Sequence, residues 1–211
     1  MFHIEEITKS YGKKLVLDNI SLSIAENEAV GILGVNGSGK STLLSCIAKK
    51  YADADSIKIG YMPQENPLFD ELSAIDNIKM WTKLSKAEIA AALNTPPLSD
   101  MGISDFAGIT VKKMSGGMKK RISLAIALIN NPDILLLDEP FASLDLPAKE
   151  DILKIMKAFL DENKSIIVAS HDNTVFDFCS KVYLLKDGTL MDANALISKG
   201  ISYVDILRGG I

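Results

Sequence analysis

The stretch Gly34-Val35-Asn36-Gly37-Ser38-Gly39-Lys40-Ser41 constrains this chain more than any other. It fits the pattern G-x-x-x-x-G-K-[ST], set between an apolar run and a helix-forming run. Ala29 to Leu33 reads as a buried strand and Ser41 to Lys50 as the helix after it. Glycines let the intervening backbone curl so that successive N–H groups converge on one anion, and the helix aims its positive end at the same point. Gly34, Asn36, Gly37, Ser38 and Gly39 would form the curl. Lys40 adds a cation for β- and γ-phosphates, and the Ser41 hydroxyl, with Thr42 beside it, offers oxygen to a magnesium ion.

The rest of the chain reads as α/β. Phe2 to Thr8 suits a strand, and Ile20, Leu22 and Ile24 alternate as in a half-buried one. Ser56 to Met62 alternates again, placing Ile57, Ile59 and Tyr61 on one face. Between about residues 65 and 114 the pattern turns helical, with expected helices over Leu72–Leu84 and Ser85–Leu93 and a break at Asn94-Thr95-Pro96-Pro97. Beyond it, helix and strand alternate as in βαβ units. Ile122, Ala125, Ile126 and Ile129 share one helical face that ends at Asn131-Pro132. Ile134 to Leu137 is apolar on both faces, hence central in a parallel sheet. Pro147 opens a helix with Ile152, Ile155, Met156 and Phe159 at core spacing; Ser165 to Ser170 is a further strand, and Lys186-Asp187-Gly188 turns a hairpin. The expectation is one domain over residues 1–211 with a helical insert at 65–114. No appended regulatory domain is expected in the short stretch beyond Gly188.

Composition narrows the function classes. With 23 Lys+Arg against 27 Asp+Glu the net charge is −4, which gives no electrostatic footprint for nonspecific nucleic-acid binding, and no direct nucleic-acid partner is expected. Cys46 and Cys179 are too few for a disulfide framework. The longest apolar stretch, between Ile122 and Ile129, falls far short of a spanning helix, and the acidic start Glu5-Glu6 is unlike a signal peptide. A cytoplasmic protein that reaches a membrane through a partner is the expectation.

Two further features carry chemistry. Asp138 and Glu139 end the apolar strand Ile134 to Leu137, at the edge where α/β sheets bind ligands. Asp138 is placed to hold magnesium and Glu139 to polarise an attacking water. Ser115-Gly116-Gly117-Met118-Lys119 opens the helix before that strand, making a second anion site at a helix N-terminus.

Taken together, these ordered motifs resemble the ATP-binding subunits of ABC transporters over nearly the whole chain. The resemblance implies a P-loop NTPase core with a mostly parallel sheet, a shortened N-terminal antiparallel β subdomain and an inserted helical subdomain. Gly34 to Thr42 match the Walker A loop, Ile134 to Asp138 the Walker B strand, and Glu139 the catalytic glutamate. Gln64 matches the Q-loop glutamine that links magnesium and water to a transmembrane partner. Ser115 to Met118, including Gly116 and Gly117, match the signature, Ser143-Leu144-Asp145 the D-loop, and His171 the switch histidine. Tyr11 stands where the family stacks an aromatic ring on adenine. The implied catalytic set is Glu139, His171, Gln64 and Lys40, with magnesium at Ser41, Gln64 and Asp138.

The implied mechanism sandwiches two ATP molecules between two subunits, Lys40 of one facing Ser115 and Gly117 of the other. The pair is a homodimer or heterodimer on separately encoded transmembrane permeases, at the inner face of the membrane. The run Ser115 to Arg121 resembles the branch serving antibiotic, lipid or sodium efflux, which points to export. Met118 departs from the family's usual glutamine. Only 23 residues separate Lys40 from Gln64, so a hairpin beside the adenine site is expected to be missing. Lys112-Lys113 and Lys119-Lys120-Arg121 read as a solvated face as readily as an anion or partner site. A soluble ABC-type ATPase acting on nucleic acid or ribosomes is the alternative.

Overall fold

The computed structural model describes residues 1–52, 57–65, 67–171 and 177–200. Ser56, Asn66 and the tail beyond Gly200, all touched by the expectations above, lie outside the described residues.

Strands apolar on both faces dictate the architecture. In β3 (Ala29–Leu33), β5 (Ile134–Asp138) and β6 (Ser165–Ser170) every position is buried. Side chains alternate across a sheet, so each strand feeds two cores. Val30, Ile32, Ile134, Leu136, Ile167 and Ala169 enter one core. Ala29, Leu33, Leu135, Leu137, Ile166 and Val168 enter the other. The first core is closed by α1 (Lys40–Lys50), whose Leu43, Leu44 and Ile47 are fully buried, and by a separate two-stranded antiparallel sheet of β1 (Phe2–Tyr11) and β2 (Lys14–Ile24). Each such aliphatic side chain contributes about 1.5–3 kcal/mol of burial free energy, which fixes α1 beneath the sheet.

The main sheet has six strands. With β4 (Ile59–Met62), β7 (Lys181–Lys186) and β8 (Thr189–Asp192), the order is β4-β5-β6-β3-β7-β8. All neighbours are parallel except β7 and β8, which form the expected hairpin around Asp187 and Gly188, both with positive φ. The strand from Ile134 is thus interior and doubly covered, one place in from the edge strand β4 rather than at the sheet's centre. Ile57, Ile59 and Tyr61 do pack on the same side.

The other core is covered by helices α2 (Ala74–Thr82), α3 (Lys86–Leu93), α4 (Gly116–Leu128), α5 (Leu146–Asp161) and α6 (Ala193–Ser198). The helix α2 is shorter than its apolar pattern suggests, because Ser73 caps it by accepting from the Asp76 N–H and Lys83 ends it in the left-handed region. Ser85 and Glu88 form a capping box on α3. The two ends of this helical stretch meet: a bridge joins Ser73 to Thr110, and the Val111 N–H donates to the Leu72 carbonyl at 2.9 Å.

Candidate functional site

Four segments converge at the carboxyl edge of the parallel strands, the edge that the sheet's topology leaves open. The phosphate-loop sequence comes after β3, Gln64 after β4, Asp138 and Glu139 end β5, and Ser170 and His171 end β6. Gly39 occupies the N-cap of α1 at φ 108°, a conformation that favours glycine, and a Cβ there would meet Val16 at a tight 3.0 Å. A cleft of about 390 Å³ is lined by Tyr11, Val16, Asn36, Gly37, Gly39, Lys40, Ser41, Thr42, Gln64 and Glu139. Tyr11 is exposed at its rim, with Lys9 Nζ 5.3 Å from its ring.

Beneath the cleft lies a buried quartet of two lysines and two carboxylates: Lys40, Lys120, Asp138 and Glu139 are each 6% exposed or less. Lys40 Nζ donates to the carbonyls of Gly34 (2.7 Å) and Val35 (3.3 Å) and lies 3.7 Å from Glu139 Oε1. Glu139 accepts from the Ser170 hydroxyl at 3.0 Å and pairs with His171 Nδ1 at 2.8 Å. Burial raises the Asp138 carboxyl above its usual range; a hydrogen bond from Ser41 opposes this, the Glu139 charge adds to it, and Lys40 and Lys120 pull it down. Burial likewise lowers the Lys120 ammonium, against the pull of Asp138 and Glu139. Tyr61, beside them, is pushed up to about 12 by burial and by the Asp138 charge.

Oxygen chemistry at this spot fits a magnesium ion. Asp138 Oδ1 is buried without a hydrogen-bond partner, the Ser41 hydroxyl bonds the same carboxylate, and Gln64 lines the cleft above. Such hard oxygen donors suit magnesium, and an orphaned buried carboxylate oxygen is costly unless something ligates it.

The expected site residues divide into two groups. Ser115, Gly116, Gly117 and Asp145 line a different cleft of about 420 Å³, with Met118, Arg121 and Asp151, and share no lining residue with the first. Ser115 caps α4 by accepting from the Met118 N–H, and Asp145 caps α5 by accepting from the Ala148 N–H. Gly34 and Ser38 do not line the cleft, and Ser38 Oγ is buried without a hydrogen-bond partner.

The reading of Lys119-Lys120-Arg121 as a solvated face is corrected at two positions. Lys120 is 5% exposed, and Arg121 pairs with Asp151 at 2.6 Å and donates to the Met101 carbonyl at 3.2 Å. The signal was present: Lys120 lies four residues before Leu124 and seven before Ala127, on the buried stripe of α4. Ser170 was also missed, as a strand-end serine carries no pattern of its own. The shortened segment before Gln64 agrees with the N-terminal sheet, which has two strands among the described residues.

The profile of the family described as "ABC transporter" matches residues 17–142. The chain is 32% identical to the uncharacterized ABC transporter ATP-binding protein MJ1023 of Methanocaldococcus jannaschii, over 98% of this chain and 83% of that protein. It is 33% identical to the lantibiotic transport ATP-binding protein SrtF of Streptococcus pyogenes, over 81% and 80% of the two chains. With the linearmycin resistance ATP-binding protein LnrL of Bacillus subtilis the identity is 32%, over 90% and 68%. Among solved structures, the dimeric ABC transporter cassette MJ0796 superposes with a TM-score of 0.76 at 28% identity, covering 90% of this chain and 96% of that one. A dimeric post-hydrolysis state of the same cassette, bound to ADP and Pi, gives 0.73 at 27%, over 89% and 94%. On the match of its sequence, its fold and the phosphate-loop cleft, the chain belongs to the ABC transporter family, as an ATP-binding subunit with ATP hydrolase activity.

Proposed function

We propose that this subunit works as one of a pair, closing head to tail around two ATP molecules to drive an exporter through separately encoded permeases at the inner face of the membrane. The observation that carries the pairing is the division of the site. The phosphate-loop cleft and the Ser115–Gly117 cleft lie apart on one chain, so a complete site takes its second half from another copy or a sister subunit. The dimeric cassettes with which this fold superposes support the same arrangement.

Within each site Lys40 and the loop N–H groups would hold the β- and γ-phosphates. Glu139, oriented by Ser170 and His171, would take the proton of the attacking water, and Tyr11 would receive the adenine. Magnesium held by Ser41, Asp138 and Gln64 would neutralise charge building on the phosphates. Ser115, Gly116, Gly117 and Asp145 would complete the partner's site.

A docking surface for the permease is supported by an apolar patch on the insert. Phe69, Met80 and Trp81 are about half exposed, and the Phe69 and Trp81 rings stack at 6.4 Å. Leu72, near Phe69 in the sequence, is half-buried. Buried Asn77 holds Phe69 in place, accepting from its N–H at 2.8 Å and donating to its carbonyl at 3.1 Å. Export is supported by the run Ser115 to Arg121 and by relatives named for lantibiotic transport, linearmycin resistance and Nod factor export.

The test of the pair is Glu139→Gln, which is expected to bind ATP, fail to hydrolyse it and accumulate as a dimer. Light scattering that shows this variant monomeric at saturating ATP would overturn the sandwich.

A further inference from the structure

We propose that Lys120 is a positioning residue for hydrolysis, a buried cation that fixes the Glu139 peptide and the Gln64 segment against each other. This rests on the reading of Glu139 as the group that activates water. Lys120 leaves the first turns of α4 and enters the interior, where Nζ donates to the Gln64 carbonyl at 3.2 Å and to the Glu139 carbonyl at 3.3 Å. A buried ammonium is costly unless charge and hydrogen bonds compensate it, and here both carboxylates of the quartet supply the charge.

The Glu139 backbone explains why such a tether is needed. Glu139 has φ 49°, in the left-handed region that a non-glycine residue adopts only at a cost. That conformation turns the side chain back toward Ser170 and His171, and it persists only if the peptides on either side are held. The Glu139 N–H is held by the Ala169 carbonyl at 2.8 Å. Its carbonyl accepts from the Ala142 N–H at 3.2 Å in the turn that follows, and from Lys120 at 3.3 Å, which ties that turn to α4. The same ammonium grips Gln64, which lines the nucleotide cleft at the start of the insert that carries Phe69 and Trp81. Lys120 does not line the nucleotide cleft, and its hydrogen bonds go to two backbone carbonyls. A movement of the insert on its partner would reach the Glu139 peptide through a single side chain.

Lys120→Met keeps the length of the side chain and removes both donors and the charge. Lys120→Gln keeps an amide donor without charge and carries the experiment if the first variant does not fold. Phosphate release gives kcat, and titration with a fluorescent ATP analogue and magnesium gives Kd. The expected result is a kcat lower by about 10- to 100-fold with Kd within about threefold of the parent. Placed on Glu139→Gln, the Lys120 substitution should lower the residual rate no further, because residues acting as a unit are not additive. A kcat unchanged by the Lys120 substitutions, a Kd that worsens in step with kcat, or the full loss repeated on Glu139→Gln would each overturn the proposal while leaving the role of Glu139 standing. Parent-like hydrolysis by Glu139→Gln alone would remove the role of Glu139 and the proposal with it.

Discussion

Gly60 offers the sharpest test of how this fold holds its site. It lies in edge strand β4 with the end of α4 directly over it. A Cβ added there would sit 2.2 Å from the Ala127 carbonyl oxygen, 3.1 Å from that carbonyl carbon and 2.9 Å from Pro132 Cγ, where real Cβ contacts essentially never fall below 3.0 Å. The obstacles are helix backbone and a proline ring, so no side chain can rotate away. Gly60→Ala therefore has to separate β4 from the last turn of α4 by the better part of an ångström. Overpacking costs about 1–3 kcal/mol when side chains can adjust, and a backbone obstacle puts this case at the upper end, about 3 kcal/mol. For a chain of this size that corresponds to a fall in Tm of about 6–12 °C, read by calorimetry or circular dichroism. Hydrolysis should fall as well, because β4 leads into Gln64 and α4 carries Lys120. Gly108→Ala is the control: nothing lies within 4 Å of its added Cβ, and its stability should stay within about 0.5 kcal/mol of the parent. A Gly60→Ala protein melting within about 2 °C of the parent would refute the claim that β4 and α4 are in backbone contact.

Other perturbations report on other parts of the molecule. Glu28 accepts from the Ala25 N–H at 2.7 Å and pairs with Lys181 at 2.9 Å; burial alone would raise its carboxyl, but these partners and Ser180 hold it below its ordinary 4.5. As pH falls the unfolded chain takes up this proton first, so the stabilisation is complete above about 4.5 and is lost as pH passes through the lower folded value. Glu28→Gln should therefore cost about 1 kcal/mol at neutral pH and little in strong acid, as denaturant titrations at several pH values would show. Asn77→Ala strands the Phe69 N–H, while the Phe69 carbonyl keeps the Leu72 N–H at 3.1 Å, and should cost about 1–3 kcal/mol by the same titration. Phe69→Ala with Trp81→Ala is expected to leave basal hydrolysis within about twofold, since neither ring touches the cleft, but to abolish co-purification with a membrane protein of several spans.

The strand, loop and helix around Gly34 to Ser41 were legible in the residues alone, because glycine placement and the apolar run are local requirements. So were the doubly buried strand at Ile134 to Leu137, the hairpin at Asp187-Gly188 and the helix starts near Ser85 and Pro147, each of which depends on residues a few positions apart. Asp138 and Glu139 at the carboxyl edge were legible as well, since they directly end an apolar strand, whereas Gln64 and His171 came only with the family resemblance and Ser170 was missed. Which of these residues share a cleft was settled only by assembly of the sheet. Strand order is not written in any one segment, so no local pattern could place Ile134 to Leu137 one in from the edge or separate Ser115–Gly117 from Lys40. The spacing of Lys120 from Leu124 and Ala127 hinted at burial within a charged run, and the partners that make that burial tolerable were settled the same way. Burying an ammonium depends on carbonyls and carboxylates delivered by β4 and β5, and those partners become neighbours only when the sheet is assembled.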